Sequence, residues 1–331
     1  MNNERVSPVG LVLGSVMPPE LIAPTARLAE ELGFGELWYS EDCFFSGGAS
    51  GVTAALAATE RMPVELGIVS AVTRHPAINA MEFATIARMF PDRFTPGIGL
   101  GVPAWLDQMG LGQRYALTAV RECVASIRRL LDGEELTETG KVFSFDQVKL
   151  THAPAGYVPI VTGMVNEKGL RMSGEIADGT VLSVLASPAY TAWACDQIKA
   201  GATAVARESD HRVTTFTLFS VDANGKKAKA AVRDSVAFYL AAIPDTDLTR
   251  VYGIRDEVVE LLRTEGADGL ARAMPDSWVE NLAVAGAPDE CAEKINALLA
   301  AGSDSVALWL FPVNEGERIA RLTATEVLTR L

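Results

Sequence analysis

The sequence predicts an α/β fold, a (β/α)8 TIM barrel, on three observations. Short apolar runs rich in β-branched residues alternate with amphipathic helical stretches eight times along 331 residues, and eight such units close a barrel with none left over. The stretch Gly67–Gly101, GIVSAVTRHPAINAMEFATIARMFPDRFTPGIGLG, holds a strand, a polar turn, a helix and a second strand, the content of one βαβ unit. No Pro- or Ser-rich linker divides the chain, so a single domain over residues 1–331 is expected. A doubly wound sheet is the alternative architecture.

The elements follow in order. Val9–Gly14 is an apolar run ending in small residues, a buried strand. Pro18 and Pro19 open a helix with Leu21, Ile22, Leu28, Ala29 and Leu32 on one face, and Gly33 closes it. Glu36–Tyr39 is the second strand and Val52–Glu60 an Ala-rich helix stopped at Met62-Pro63. Val64–Ser70, Ala77–Phe90 and Thr95–Leu100 give the third strand, its helix and the fourth strand. Gln113–Leu131 places Leu117, Val120, Val124, Ile127 and Leu131 at helical spacing. Leu136–Leu150 alternates polar and apolar residues about Gly140-Lys141, an inserted hairpin after strand 4. Val158–Thr162 is the fifth strand, Glu167–Ile176 its helix and Gly179–Val184 the sixth strand. Ser187-Pro188 starts another helix, serine at the N-cap and proline at the first helical position. Val213–Val221 is the seventh strand, Ala228–Ala242 is helical, and polar Pro244–Ala283 reads as an irregular insertion after strand 7 with short helices. Pro288–Ala301, Val306–Phe311 and Glu315–Leu328 supply a helix, the eighth strand and a closing helix.

Composition bounds the partners. The formal net charge is −13, which repels phosphate backbones and anionic lipid and so argues against nucleic-acid or membrane partners. No apolar run approaches the roughly 18 residues of a membrane span. The N-terminal MNNERVSPVG lacks a cationic segment followed by an apolar one, so no signal peptide is expected. The cysteines Cys43, Cys123, Cys195 and Cys291 are far apart, which suggests free thiols in a reducing cytoplasm rather than a disulfide framework. No His/Cys cluster has metal-ligand spacing, so no metal is expected. A small-molecule substrate is the expected partner.

In a barrel the chemistry sits just past the strands, at the C-terminal mouth. Glu41 and Asp42 are adjacent carboxylates after the second strand. Neighbouring like charges raise one pKa, which makes a general acid; the plainer reading is that one caps a helix or pairs with Arg74 while the other faces water. His75 before Pro76 is more readily a helix-entry histidine bonded to backbone than a catalyst. Gly97, Gly99 and Gly101 lack the dinucleotide spacing; glycines there more readily admit a flat ligand close to the backbone. Between Thr162 and Lys168 a strand ends in Gly163 and a helix starts near Asn166, so backbone amides and the helix dipole could hold a phosphate. An ordinary strand-to-helix turn fits the same residues.

These residues also carry a family resemblance. LAEELGFGELWYSED, TERMPVELGIVSAVTRHPAINAMEFATIARMFPDRFTPGIGLG, GLRMSGEIADGTVLS with SPAY, and AGAPDECAEKINALLAAGSDSVALWLF occur in order along the chain. In these stretches it resembles the bacterial luciferase-like superfamily, and within it the deazaflavin-dependent reductases and dehydrogenases related to methylenetetrahydromethanopterin reductase. The resemblance implies an isoalloxazine-type ring in the barrel mouth and a non-prolyl cis peptide near Ser70-Ala71 forming a bulge behind it. It also implies that the cofactor phosphate is held by amides after the fifth strand, at Gly163, Met164 and Val165, with Asn166 beside them. Ser40, Ser70, Ala71, Thr73 and Gly101 would then line the cofactor, and Phe45, Trp105 and Arg74 the substrate pocket. Many deazaflavin relatives place a histidine after the second strand where this chain has Asp42, and the acid/base role passes to Asp42, with Glu41 second. The implied activity is hydride transfer between coenzyme F-420, an 8-hydroxy-5-deazaflavin, and a small organic substrate, by a cytoplasmic homodimer paired through the first helices. Alternatives are an FMN-dependent monooxygenase of the same superfamily and a non-catalytic flavin- or deazaflavin-binding protein.

Overall fold

The computed structural model describes residues 7–112, 115–207 and 210–331. The expected helix start at Gln113 and the N-terminal segment before Ser7 lie outside them. Among the described residues eleven strands form: β1 (Val9–Leu13), β2 (Leu37–Tyr39), β3 (Val64–Ser70), β4 (Phe94–Gly99), β5 (Leu136–Thr139), β6 (Ser144–Val148), β7 (Val161–Gly163), β8 (Gly179–Leu182), β9 (Arg212–Val221), β10 (Val284–Gly286) and β11 (Ser305–Leu310). Eight of them close a parallel barrel in the order β1-β2-β3-β4-β7-β8-β9-β11, with β11 returning to β1. β5 and β6 are the expected antiparallel hairpin.

Period-2 alternation sorts the strand residues into two layers. Leu11, Leu13, Leu37, Tyr39, Val306 and Leu308 pack outward against the helices. Val12, Trp38, Phe216 and Ala307 point the other way and fill the barrel, where the Trp38 and Phe216 rings meet edge to face at 5.3 Å.

Some elements depart from expectation, among them the short helix Pro103–Gln108, which was not foreseen. The fifth barrel strand starts at Val161 rather than Val158, because Pro159 has no N–H for the ladder. The polar insertion is three helices, Asp247–Tyr252, Arg255–Ala273 and Asp276–Leu282. The unforeseen β10 follows them and pairs with Phe219–Val221 of β9, lengthening the wall at the mouth.

The bottom of the barrel is closed by charge. Glu36, Glu65, Arg212 and Ser305 all lie at N-terminal strand ends. Arg212 Nη1 donates to Glu65 Oε1 at 2.8 Å and its Nη2 to Glu36. Glu36 also accepts from Trp38 Nε1 at 2.8 Å and from the Ser305 hydroxyl.

Candidate active site

At the mouth, Glu41 and Asp42 follow β2 but have different surroundings. Glu41 takes a two-pronged ion pair from Arg74, at 2.7 and 2.8 Å. It also accepts from Gly48 N at 2.7 Å and so caps the helix Gly48–Ala58. Both its oxygens are spent. Asp42 has no cationic partner among the described residues. Its Oδ2 accepts from the Ser15 hydroxyl. Burial raises the Asp42 carboxyl above the usual aspartate range; the Glu41 charge adds to this and the Ser15 hydrogen bond partly offsets it. From the helix Gly225–Ala242, Tyr239 comes close enough that burial and the Asp42 charge together push its phenol up. Tyr239 packs on Trp309, and Trp309 on Phe311.

The floor of the mouth is made by glycines around one side chain. A Cβ on Gly97, Gly99 or Gly163 would come within 2.5, 2.6 and 2.8 Å of Ile68. Ile68 therefore fills the close approach that the strand-4 glycines were expected to offer a ligand directly. The β3–β4 register shifts between Leu66 and Val69 at the same place. Ser70 ties the two strand tips together, its hydroxyl donating to Leu100 O at 3.2 Å. Ala71 N donates to Gly99 O at 3.0 Å, and the Thr73 hydroxyl to Ser70 O at 3.2 Å. Gly101 has φ +79°, and a Cβ there would sit 2.7 Å from Ser70 Oγ, so only glycine turns the chain here. The Ser40 hydroxyl accepts from Ser15 N at 2.9 Å. On the rim, Phe45 is 55% exposed and meets Trp105 edge to face at 6.2 Å.

After β7 the loop 163–166 is held from outside. Tyr190 donates to Val165 O at 2.7 Å. Asp247 N donates to Asn166 Oδ1 at 2.9 Å, and Glu167 N donates to Asp247 Oδ2 at 2.8 Å. Asn166 thus spends its side chain on the insertion. The amides of Met164 and Val165 donate to no group among the described residues, so they are open to an acceptor.

His75 serves structure. Its Nδ1 accepts from Ala77 N at 3.2 Å at the helix entry, its Nε2 meets Ser144 O at 3.2 Å, and its ring packs on Phe143 and Phe145 of the hairpin.

The chain and its barrel have known counterparts. The sequence model of the luciferase-like monooxygenases matches residues 7–305. The chain belongs to the luciferase-like monooxygenase family. Among its luciferase-like relatives, 5,10-methylenetetrahydromethanopterin reductase of Methanolobus tindarius is 31% identical over 287 residues, 85% of this chain and 87% of the relative. An F-420-dependent glucose-6-phosphate dehydrogenase of Nakamurella multipartita is 28% identical over 95% of this chain and 93% of its own. The solved structure of the coenzyme F-420 dependent tetrahydromethanopterin reductase from Methanopyrus kandleri superposes with a TM-score of 0.85 at 26% identity, covering 98% of this chain and 99% of that one.

One position expected of a luciferase-like chain is corrected. The non-prolyl cis peptide is Gly67–Ile68, not Ser70–Ala71. Ser70 still pairs in register with Gly99, so the ladder is regular there; the irregularity lies inside β3, where the facing glycines leave room for Ile68.

Sequence reasoning assigns no role to Ser15, Ile68, Tyr239, Trp309 or Asp247. The Gly97-x-Gly99 spacing opposite Ile68 was an available signal. Tyr239 and Asp247 carried none, since they reach the mouth only through the packing of the insertion and its preceding helix.

Proposed function

We propose that this chain is an oxidoreductase that exchanges hydride between coenzyme F-420 and a small organic substrate. The observation that carries the chemistry is the division of labour at the mouth: Arg74 neutralises Glu41, while partly buried Asp42 keeps a protonatable carboxyl. Support for the cofactor comes from the relatives, two of them named for F-420. The residues fit such a group. The mouth has a floor made by Ile68 seated among three glycines, and two open amides, Met164 and Val165, lie where an anionic tail can be held. When bound, the deazaflavin supplies hydride transfer, and the protein supplies orientation and proton handling.

In this reading Ile68 supports the ring from beneath, and Ser70, Ala71, Thr73 and Gly101 border it. Gly163, Met164 and Val165 present amides to the phosphate, held in place by Asn166, Asp247 and Tyr190. Asp42 gives or takes a proton at Oδ1, with Glu41 fixing the loop through Arg74. Phe45 and Trp105 wall the substrate and keep water from the reacting face. We read the protein as a cytoplasmic homodimer. Among the described residues no helix is long and apolar enough to cross a membrane, and the acidic charge of −13 disfavours anionic surfaces.

Titration with F-420 and with FMN, each followed by gel filtration with absorbance detection, tests the proposal. Retained F-420 and unretained FMN are expected. Tight FMN binding without F-420 binding replaces it with a monooxygenase reading.

A further inference from the structure

We propose that Ser15 is a positioning residue for the Asp42 carboxyl, tying Oδ2 so that Oδ1 alone works at the mouth. This rests on the role given to Asp42 above. Ser15 lies just past β1 and is 4% exposed. It is fixed on both sides of its Cα. Its N–H donates to Ser40 Oγ at 2.9 Å. Its carbonyl accepts from Ser46 Oγ at 3.4 Å, and Ser46 is in turn bonded to Tyr39 OH at 2.7 Å. The backbone is therefore not free to turn, and the one remaining group, the hydroxyl, is aimed at Asp42 Oδ2. A carboxyl with one oxygen held loses its freedom about the terminal torsion, and its other oxygen is preorganised.

The surroundings of Asp42 make that bond decisive. Glu41 and Cys43 flank it in its own loop, Tyr239 faces it from the helix Gly225–Ala242, and Ser15 reaches it from the end of β1. Arg74, the nearby cation, is engaged with Glu41. Ser15 is the one group among the described residues that hydrogen-bonds the Asp42 side chain. A hydrogen bond to the charged form favours that form, whereas burial and the Glu41 charge oppose it. Removing the hydroxyl leaves the two opposing influences without a counterweight, so Asp42 keeps its proton to higher pH.

Carbon-13 carboxyl titration of aspartate-labelled full-length protein tests this without a substrate. The Asp42 signal is assigned by its loss in Asp42→Asn. Wild type, Ser15→Ala and Ser15→Thr are then titrated, with thermal melting alongside. Ser15→Ala is expected to raise the Asp42 midpoint by about one pH unit, the size of one lost hydrogen bond to a charged group. Ser15→Thr, which keeps the hydroxyl, is expected to stay near wild type. If Ser15→Ala does not fold, Ser15→Cys, with a weaker donor in similar volume, is read the same way. An unchanged midpoint in Ser15→Ala, or an equal rise in Ser15→Thr, overturns the proposal. Turnover unaffected by Asp42→Asn is a separate result: it removes the catalytic reading of Asp42 while the Ser15 shift stands.

Discussion

Each end of the barrel holds two carboxylates and an arginine, and the arginine is spent differently. At the bottom Arg212 reaches both Glu36 and Glu65, and Trp38 and Ser305 fill further acceptor sites on Glu36. At the mouth Arg74 gives both prongs to Glu41, and Asp42 receives only a hydroxyl. One arrangement closes the protein; the other holds a carboxyl away from any cation. Two carboxyls and an arginine thus make a structural plug at one end and, in the function proposed above, a proton-handling group at the other, according to where the guanidinium points.

The sharpest break in that comparison is Asp42→Asn. It should leave cofactor affinity intact and lower turnover about 10²- to 10⁴-fold, the usual worth of a general acid or base; steady-state kinetics beside a binding titration separates the two, and unaltered turnover would place Asp42 with the structural carboxylates. At the opposite end, Arg212→Met takes from buried Glu36 and Glu65 the cation they share. A loss of about 2–4 kcal/mol is expected, toward the low side for a broken buried pair because the guanidinium is partly exposed; urea unfolding measures it.

The bottom also titrates. Burial first, and the Glu36 charge second, push Glu65 up to about 8, against the pull of Arg212. The folded protein then holds a proton that the unfolded chain has released. That contribution is whole below the ordinary glutamate range and is lost as pH rises through about 8. Unfolding midpoints compared at about pH 5 and about pH 9 should fall with pH, and Glu65→Gln should flatten the slope.

Two smaller tests sharpen the mouth. Gly163→Val drives a side chain into Ile68, 2.8 Å from the new Cβ, and should cost about 1–3 kcal/mol of stability by overpacking as well as weaken F-420 binding. His75→Ala should cost about 1 kcal/mol, through the lost cap and hairpin contact, and leave turnover as it is; a large fall in activity would return His75 to the chemistry.

The barrel was legible because β-branched runs and amphipathic stretches alternate without interruption, and capping residues such as Ser187 sit where the structure uses them. The hairpin showed in its alternation. The insertion and its helices were legible, but the length of Arg255–Ala273 was not, because its polar surface hides scattered apolar anchors such as Val258 and Leu270, which are buried. Three-residue β10 is too short to have a period. At the site, the adjacent Glu41 and Asp42 were visible as a pair, but which of them is neutralised depends on Arg74, 33 residues away in sequence, and on Ser15, 27 away. Contacts of that range leave no local pattern. The open amides after β7 were legible as a strand-to-helix turn, whereas their clamp from Asp247, 80 residues beyond Glu167, was not.

The nest of Gly97, Gly99 and Gly163 around Ile68 works as a depth gauge. The height of the floor is set by the bulk of one side chain, while the walls around it are backbone. A shorter residue at position 68 would let a flat guest sink further without disturbing the strands, and a larger one has nowhere to go. On the function proposed above, the distance between a bound ring and the Asp42 carboxyl is thus adjustable through a single residue, provided the three glycines are kept.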